Sequence, residues 1–322
     1  MVSVEETCYK IRSLFEEAVK QNLGEGILLS GGLDTSLVAL VASKHVRLLN
    51  AFTVGFKDGE APDVKFAKKM ANYLKLKQHF IHYFDEEEAV KAVKDVVRIM
   101  RSFDPMEIRN SVTILIGLEK AKENGINTIM TGDGSDELFA GYSILFNLDK
   151  EALEEQLKKL WKWMRFSSVE LGKSLGIEVK IPFLYPEFKT FAMEIDPSLK
   201  IRKEKGEMYG KWILRKAFEG SLPDELIWRA KMPIEFGSGS TFLTEKFNLK
   251  ISDKEFFEKK QKYLEDDKVT IRNKEHLLYY EVYRSTFGPP KPDDPKKKTC
   301  PYCQANVPEK SDFCKTCGAY PV

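Results

Sequence analysis

Apolar residues at Cys8, Ile11, Leu14, Phe15 and Val19 recur at helical spacing and predict a helix over 4–22, stopped by Gly24. Ile27, Leu28 and Leu29 form a short unbroken apolar run that reads as a buried strand, and 35–44 returns to helical spacing. The alternation then repeats. A strand is expected over 48–56, a helix over 63–76, an alternating strand over 77–84 and helices over 86–101 and 111–124. A further strand within 126–134 ends on glycines. Such alternation predicts an α/β fold, a parallel sheet with helices on both faces. From about residue 151 the pattern is mostly helical, with helices expected over 151–175, 186–195, 206–219 and 253–284. The proline-rich stretch 288–298 interrupts it as a semi-extended linker. The expected organisation is an α/β core over 1–150, a helical part over 151–288, a linker over 289–299 and a small cysteine-rich segment over 300–322. No internal repeat is visible.

Composition narrows the class. Hydrophobic residues make up 43% and charged residues 31% of 322, which describes a soluble globular protein; the abundance of charge suits a thermophile. A net charge of +2 neither requires nor excludes a nucleic-acid partner. The N-terminus has no apolar signal-peptide region, and no apolar run reaches the roughly 18 residues of a membrane span, so a cytoplasmic location without a membrane partner is expected. Four of the five cysteines follow residue 299, a distribution that favours metal ligation over disulfides.

Two glycine-rich turns, at 30–36 and 131–137, fall at expected strand ends, where ligands of such sheets sit. Ser30-Gly31-Gly32 between a strand and a helix gathers backbone N–H groups and a helix N-terminus around one point, an arrangement that accepts an anion. Ser30, Thr35 and Ser36 offer hydroxyls to phosphate oxygens. Asp34 would repel phosphate alone and makes sense as a Mg²⁺ ligand. The plainer reading is a glycine turn with a capping Ser or Asp. No lysine follows Gly32, so this is not the phosphate loop that ends in Gly-Lys-Ser/Thr. At the other end, Cys300-Pro-Tyr-Cys303 and, ten residues on, Cys314-Lys-Thr-Cys317 have the spacing of a Cys₄ zinc ribbon, a closed structural Zn²⁺ site. So short a segment cannot build its own core, so the metal would supply its folding energy. Whether the ribbon stabilises the chain, makes a dimer contact or recognises tRNA or protein stays open; Lys296-Lys297-Lys298 lies just before it.

"SGGLDTS" (30–36) resembles the pyrophosphate loop of the N-type ATP pyrophosphatases, the PP-loop superfamily. "TGDGSDELFAGY" (131–142) resembles the second signature of the synthetase domain of asparagine synthetases. "AFTVGF" (51–56), "SFDPMEIRNS" (102–111), "GIEVKIPFL" (176–184) and "KWILRKAFEGSLPDELIWRAK" (211–231) are similar to further segments of that domain in the right order. The resemblance covers roughly residues 10–240. It implies the doubly wound, adenine nucleotide alpha hydrolase-like fold, ATP and Mg²⁺ as cofactors, and adenylation of a small carboxylate, aspartate foremost. Pyrophosphate would be released, and ammonia or another amine would displace AMP. By matching position it implies that Asp34 and Asp136 ligate Mg²⁺ and that Ser30, Gly31, Gly32, Thr35 and Ser36 cradle pyrophosphate. Val54, through its backbone, and Gly132 would lie against adenosine. Lys231 would neutralise charge developing on the phosphates, Arg109 would meet the α-phosphate or the acyl substrate, and Asp133 would move a proton as the amine attacks. Without the resemblance, Lys231 reads as a solvated surface lysine.

The sequence also departs from the family pattern. Glutamine-type asparagine synthetases begin with a glutaminase domain whose nucleophile is the cysteine after the initiator Met; here Val2 stands there and the synthetase pattern starts almost at once. Cys8 reads as a core residue. The expected nucleophile is therefore ammonia, another amine or a group handed over by a partner. Asp133 stands where Glu is usual, so its acceptor must sit about 1–1.5 Å closer. Lys180 replaces the usual Arg and Tyr185 the usual Asp, and Lys lacks the bidentate fork of Arg. A second reading is a tRNA- or protein-modifying enzyme that uses the same adenylation, with the ribbon holding the polymer. No cysteine lies between 8 and 300, which speaks against persulfide chemistry in the core. A third reading, a non-catalytic ATP-binding scaffold, is opposed by Asp34, Asp136 and Lys231. A homodimer is left open.

Overall fold

The computed structural model describes residues 3–322; Val2, expected to mark the missing glutaminase nucleophile, lies outside the described residues. The chain packs as two units. The first holds residues up to 54, 62–82 and 117–233, and the second holds 55–61, 83–116 and 234–322. Numbered along the whole chain, the strands are β1 (Gly26–Leu28), β2 (Asn50–Phe56), β3 (Gln78–Phe84), β4 (Thr128–Met130), β5 (Glu178–Lys180), β6 (Ile201–Glu204) and β7 (Glu207–Gly210). The first eight helices are α1 (Val4–Lys20), α2 (Leu33–Ala42), α3 (Pro62–Tyr73), α4 (Glu86–Met100), α5 (Pro105–Glu123), α6 (Ser135–Phe139), α7 (Lys150–Trp163) and α8 (Ser167–Leu175). The remainder are α9 (Pro186–Glu194), α10 (Trp212–Ala217), α11 (Asp224–Ile227), α12 (Ile234–Gly237), α13 (Phe242–Lys250), α14 (Asp253–Asp267) and α15 (Lys274–Phe287).

The main sheet has the order β3-β2-β1-β4-β5. β1 runs parallel to both β2 and β4, and β4 parallel to β5. The order reverses at β1, which makes the sheet doubly wound, as expected from the alternation of elements. Ile27 is in register with Ala51 on one side and Met130 on the other, so the carboxyl ends of β1 and β4 are neighbours. Chains leaving two such strands diverge to opposite sides and leave a crevice at this switch point. The two glycine turns follow β1 and β4.

The first unit's core forms where helix stripes meet the sheet. α1 starts at a reciprocal Ser3–Glu6 capping box and buries Cys8, Ile11, Phe15 and Val19. The Phe15 ring packs 4.8 Å from Phe183 and 5.2 Å from Phe188. Cys8 is buried in this cluster, as the core reading requires.

Several expected elements differ. The helix expected over 206–219 is preceded by a β6–β7 hairpin that takes up 207–210. Lys205 and Gly206 both have positive φ, 49° and 93°, the conformation of a two-residue turn whose twist suits a hairpin. The helix expected over 151–175 is two, because the backbone turns extended at Met164 and Phe166. The helix expected over 253–284 is also two. Lys268 closes α14 in the left-handed region, and Asn273 caps α15 by accepting from His276 N at 2.8 Å. α5 begins six residues before its expected start, with Pro105 at its first turn and Asp104 Oδ1 accepting from Met106 N at 3.2 Å. β5, β6, α6, α11, α12 and α13 have no expected counterpart.

In the second unit α4 buries Ala89, Ala92, Val93, Val96 and Val97. The Phe103 ring lies 5.1–5.2 Å from the rings of His276, Tyr280 and Tyr283. Among the described residues, no helix is long and apolar enough to cross a membrane.

Candidate active site

The turn after β1 is shaped by one glycine. Gly31 has φ +66°, and a Cβ there would run into the backbone of Phe66 and Ala67 on α3. Around it, Gly32 N donates to Ser30 Oγ at 3.2 Å, and Ser30 Oγ lies 3.1 Å from Thr35 Oγ1. Gly32 caps α2 without a side-chain bond, so the first N–H groups of α2 keep donor capacity for a ligand. Ser36 Oγ is buried and has no partner among the described residues. Arg229 braces the turn. Its Nη1 donates to Ser30 O at 3.3 Å, its Nη2 to Asp63 Oδ1 at 2.6 Å, and the guanidinium lies 4.0 Å over the Phe66 ring. Burial pushes the Asp63 carboxyl up, against the pull of Arg229.

The turn after β4 comes against the start of α2. A Cβ on Gly132 would lie 2.8 Å from Asp34 Cβ and 3.0 Å from Thr35 N, so this close approach needs glycine. It sets Asp34 beside Asp136 of α6. Lys211 Nζ lies 2.6 Å from Asp34 Oδ2 and 2.8 Å from Asp136 Oδ1, with its side chain almost wholly buried. Lys231 Nζ, about a third exposed, lies 2.7 Å from Asp136 Oδ2. Burial would raise the Asp136 carboxyl, but the ammonium groups of Lys211 and Lys231 outweigh it and hold it well below the usual carboxylate range. Burial opposes the charge on Lys231, while the Asp136 and Asp34 carboxylates raise its pKa. Two carboxylates thus converge on one cation position, and Asp34 Oδ1 is a buried acceptor with no partner among the described residues. This donor set fits Mg²⁺, a hard ion that takes carboxylate oxygens.

Asp133 Oδ2 accepts from Thr131 Oγ1 at 2.8 Å and from Ser168 Oγ at 2.5 Å. Burial raises its carboxyl despite those donors, and the negative charges of Asp34 and Asp136 add to the rise. Beyond it, Tyr142 donates to Glu137 Oε1 at 2.5 Å.

The structure therefore gathers Ser30, Gly31, Gly32, Asp34, Thr35, Ser36, Gly132, Asp133, Asp136 and Lys231 on the two turns and the segment after α11. Val54 lies near the end of β2, half-buried, with its Cγ1 3.9 Å from where a Cβ on Gly117 would stand. Arg109 belongs to the second unit, where its Nη1 donates to Thr244 Oγ1 at 3.1 Å and lies 3.5 Å from Glu275 Oε2. Sequence reasoning assigned no role to Lys211, Arg229, Thr131 or Ser168. Lys211 and Arg229 stand inside the 211–231 segment that carried the resemblance, which was the available signal. Nothing in the sequence around Ser168 marks it.

In the second unit the sulfurs of Cys300, Cys303, Cys314 and Cys317 all lie within 4.8 Å of one another and are buried. Cys300 and Cys317 are 3.7 Å apart, and Cys303 and Cys314 are 3.6 Å apart. A tetrahedron with Zn–S near 2.3 Å has S···S edges of about 3.8 Å, so the set fits Zn²⁺. The two knuckles are built alike, with Cys300 N donating to Ala305 O at 2.8 Å and Cys314 N to Ala319 O at 2.9 Å. Their outer carbonyls are used within the unit. Arg272 donates to Cys317 O at 2.5 Å and Gly318 O at 2.8 Å, Phe103 N to Thr316 O at 2.8 Å, and Thr270 N to Tyr302 O at 2.8 Å. Lys298, the last of the three lysines, donates to Ser311 O at 3.0 Å and Val322 O at 2.6 Å.

Comparison with known proteins gives the family of the chain. The chain aligns with the family described as asparagine synthase over residues 10–174 and 170–278. It is 33% identical over 319 residues to a probable glutamine-hydrolyzing asparagine synthetase of Dictyostelium discoideum, covering 88% of this chain and 56% of that protein. It is 31% identical over 321 residues to a glutamine-hydrolyzing asparagine synthetase of Zea mays, covering 91% of this chain and 53% of that protein. The chain thus spans about half the length of these relatives. Among solved structures, an NMN synthetase from Francisella tularensis aligns at 16% identity and a TM-score of 0.30, over 63% of this chain and 99% of that one. On the family alignment and the identity to these relatives, the chain belongs to the asparagine synthase family.

Proposed function

We propose that this chain is an ATP-dependent, AMP-forming ligase that makes an amide from a small carboxylate, aspartate foremost, and ammonia or another amine. A carboxylate oxygen attacks the α-phosphorus of ATP, the bond between the α-phosphorus and its bridging oxygen breaks, and pyrophosphate leaves. The amine then attacks the acyl carbon of the adenylate. The C–N bond forms, the C–O bond to AMP breaks, and the proton of the amine passes to Asp133. The observation that carries this reading is the charge cluster of Asp34, Lys211, Asp136 and Lys231 at the carboxyl ends of β1 and β4. In a chain of this family, such a cluster is what a triphosphate with its cation needs.

In this reading Ser30, Gly31, Gly32, Thr35 and Ser36, with the first N–H groups of α2, bind pyrophosphate, while Gly132 and the Val54 backbone lie against adenosine. Lys231 is a preplaced cation for the charge that develops on the leaving pyrophosphate. Asp34 and Asp136 would hold Mg²⁺, which supplies charge neutralisation on the phosphates. Lys211 keeps those two carboxylates together. The four C-terminal cysteines would hold a structural Zn²⁺. The comparisons do not favour the tRNA- or protein-modifying alternative.

Pyrophosphate release tests the reading, measured with ATP, Mg²⁺ and ammonium, with and without aspartate, then with bulk tRNA. Release that depends on aspartate is expected. Release that requires tRNA would replace this reading with the polymer-modifying one, and release with neither would remove aspartate as substrate. Asp34→Ala should abolish release, and an unchanged rate in that variant rejects the Mg²⁺ assignment.

A further inference from the structure

Asp133 occupies the position where the resemblance places glutamate, and its carboxylate is pinned on one side. Oδ2 accepts hydrogen bonds from both Thr131 Oγ1, at 2.8 Å, and Ser168 Oγ, at 2.5 Å. Oδ1 accepts none among the described residues. Thr131 is on the same turn, while Ser168 arrives from the first turn of α8, 35 residues along the chain, and is buried. The break between α7 and α8 starts a new helix here, and that first turn supplies the hydroxyl. A hydroxyl has one proton to donate, and both protons go to the same oxygen.

We infer that Thr131 and Ser168 are positioning residues: they fix Oδ2 of Asp133, leave Oδ1 as the oxygen that takes the proton of the attacking amine, and make aspartate rather than glutamate the side chain that fits. The inference rests on the ligase reading above. As the C–N bond forms and the C–O bond to AMP breaks, the N–H proton moves to Oδ1 and is later released to water. Two donors on Oδ2 stabilise the ionised form and hold the plane of the carboxylate, so Oδ1 has one direction rather than a range. Ser168 also sets the length. A glutamate here would advance the carboxylate by about 1.5 Å, into a hydroxyl already at hydrogen-bond contact. The other charges near Asp133 are Asp34 on α2 and Asp136 on α6, which oppose its ionisation, and Lys211 and Lys231, which partly neutralise those two.

The test uses the full-length protein. ATP–pyrophosphate exchange reads the first half-reaction, and amide formation across pH reads the second. Loss of one donor from an ionised carboxylate raises its pKa, so more alkaline solution is needed to ionise the base. Ser168→Ala and Thr131→Val should each move the half-maximum of amide formation up by about one pH unit. Each should lower amide formation about tenfold more than exchange. Ser168→Thr keeps the hydroxyl and should restore the original profile. Asp133→Glu should be impaired alone and recover about tenfold when combined with Ser168→Gly, which removes the obstruction. An unmoved half-maximum in both donor variants, or purely additive effects of Asp133→Glu and Ser168→Gly, overturns the inference. Absence of exchange in the unaltered protein overturns the ligase reading instead. In that event an isotope-edited infrared titration of the Asp133 carboxyl, with and without Ser168→Ala, decides the pinning: a rise of about one unit supports it and no change rejects it.

Discussion

The ribbon of the second unit and the β1–β4 site of the first both concentrate chemically demanding side chains, and they do so in opposite ways. The ribbon draws its sulfurs from one short stretch, with Cys300 and Cys317 only 17 residues apart. The site pairs Asp34 with Lys211 across 177 residues. The ribbon is closed: its thiols face each other and its knuckle carbonyls are taken by Arg272, Phe103 and Thr270. The site is left incomplete, with Asp34 Oδ1 and Ser36 Oγ buried and unpartnered among the described residues. A satisfied set costs nothing to keep and serves the fold. A set with orphaned groups carries a desolvation penalty that a ligand can remove.

The largest effect that could break this contrast is metal removal. Chelation should cost the ribbon roughly 10 kcal/mol of metal-linked folding free energy. Hydrogen exchange should then show 102–104 and 270–272 losing protection together with 300–318. Unchanged protection at 102–104 would mean that the ribbon is not a staple of its own unit. Next is Lys211→Met, which leaves the two carboxylates facing each other and should destabilise by about 3–5 kcal/mol when Mg²⁺ is absent. Urea midpoints with and without Mg²⁺ measure it. Partial recovery with the ion sharpens the assignment of a cation position, and a variant as stable as the parent breaks it.

Acid should weaken α15 of the second unit relative to α6 of the first, with His276 contributing about 2 kcal/mol at pH 5. Burial, with Arg272 alongside, holds His276 down to about 3 from its ordinary 6.5. The unfolded chain therefore binds a proton that the folded chain refuses, and stability falls as pH drops from about 6.5 towards 3. Asp136 is lowered from 3.8, so its contribution is present above that value and is lost only as pH falls below it. Exchange protection of α15 should thus weaken at pH 5 while that of α6 holds; the reverse order contradicts the assignments. The smallest expected change in stability is for Ser36→Ala, a gain of about 1 kcal/mol, because its buried hydroxyl has no partner to lose and its desolvation penalty goes with it. The same change should raise KM for ATP, and a large fall in melting temperature with unaltered KM would make Ser36 a structural residue.

Much of this was legible along the chain. The Ser30-Gly31-Gly32 turn, the turn at 131–137 and the paired C-x-x-C knuckles are short-range patterns. Each encodes a local geometry that needs few neighbours, and the strand–helix alternation that places the turns is equally local. The hairpin over 201–210 was hidden because Lys205 and Gly206 are weak markers beside the helical spacing that follows. The division expected from element types keeps 1–150 together, whereas packing joins 83–116 with 234–322.

What the sequence determined alone is the set of local devices: which glycine turns follow the strands, which cysteines can meet at one ion and which strands are buried. Only the tertiary structure decided that Lys211 stands between Asp34 and Asp136, that Arg229 braces Ser30, and that Ser168 holds Asp133. The physical reason is range. A turn or a knuckle is stabilised by bonds within a few residues, so its pattern is written contiguously. A buried charge or hydroxyl is tolerated only where folding brings a distant partner within hydrogen-bond reach, and no local pattern records that meeting.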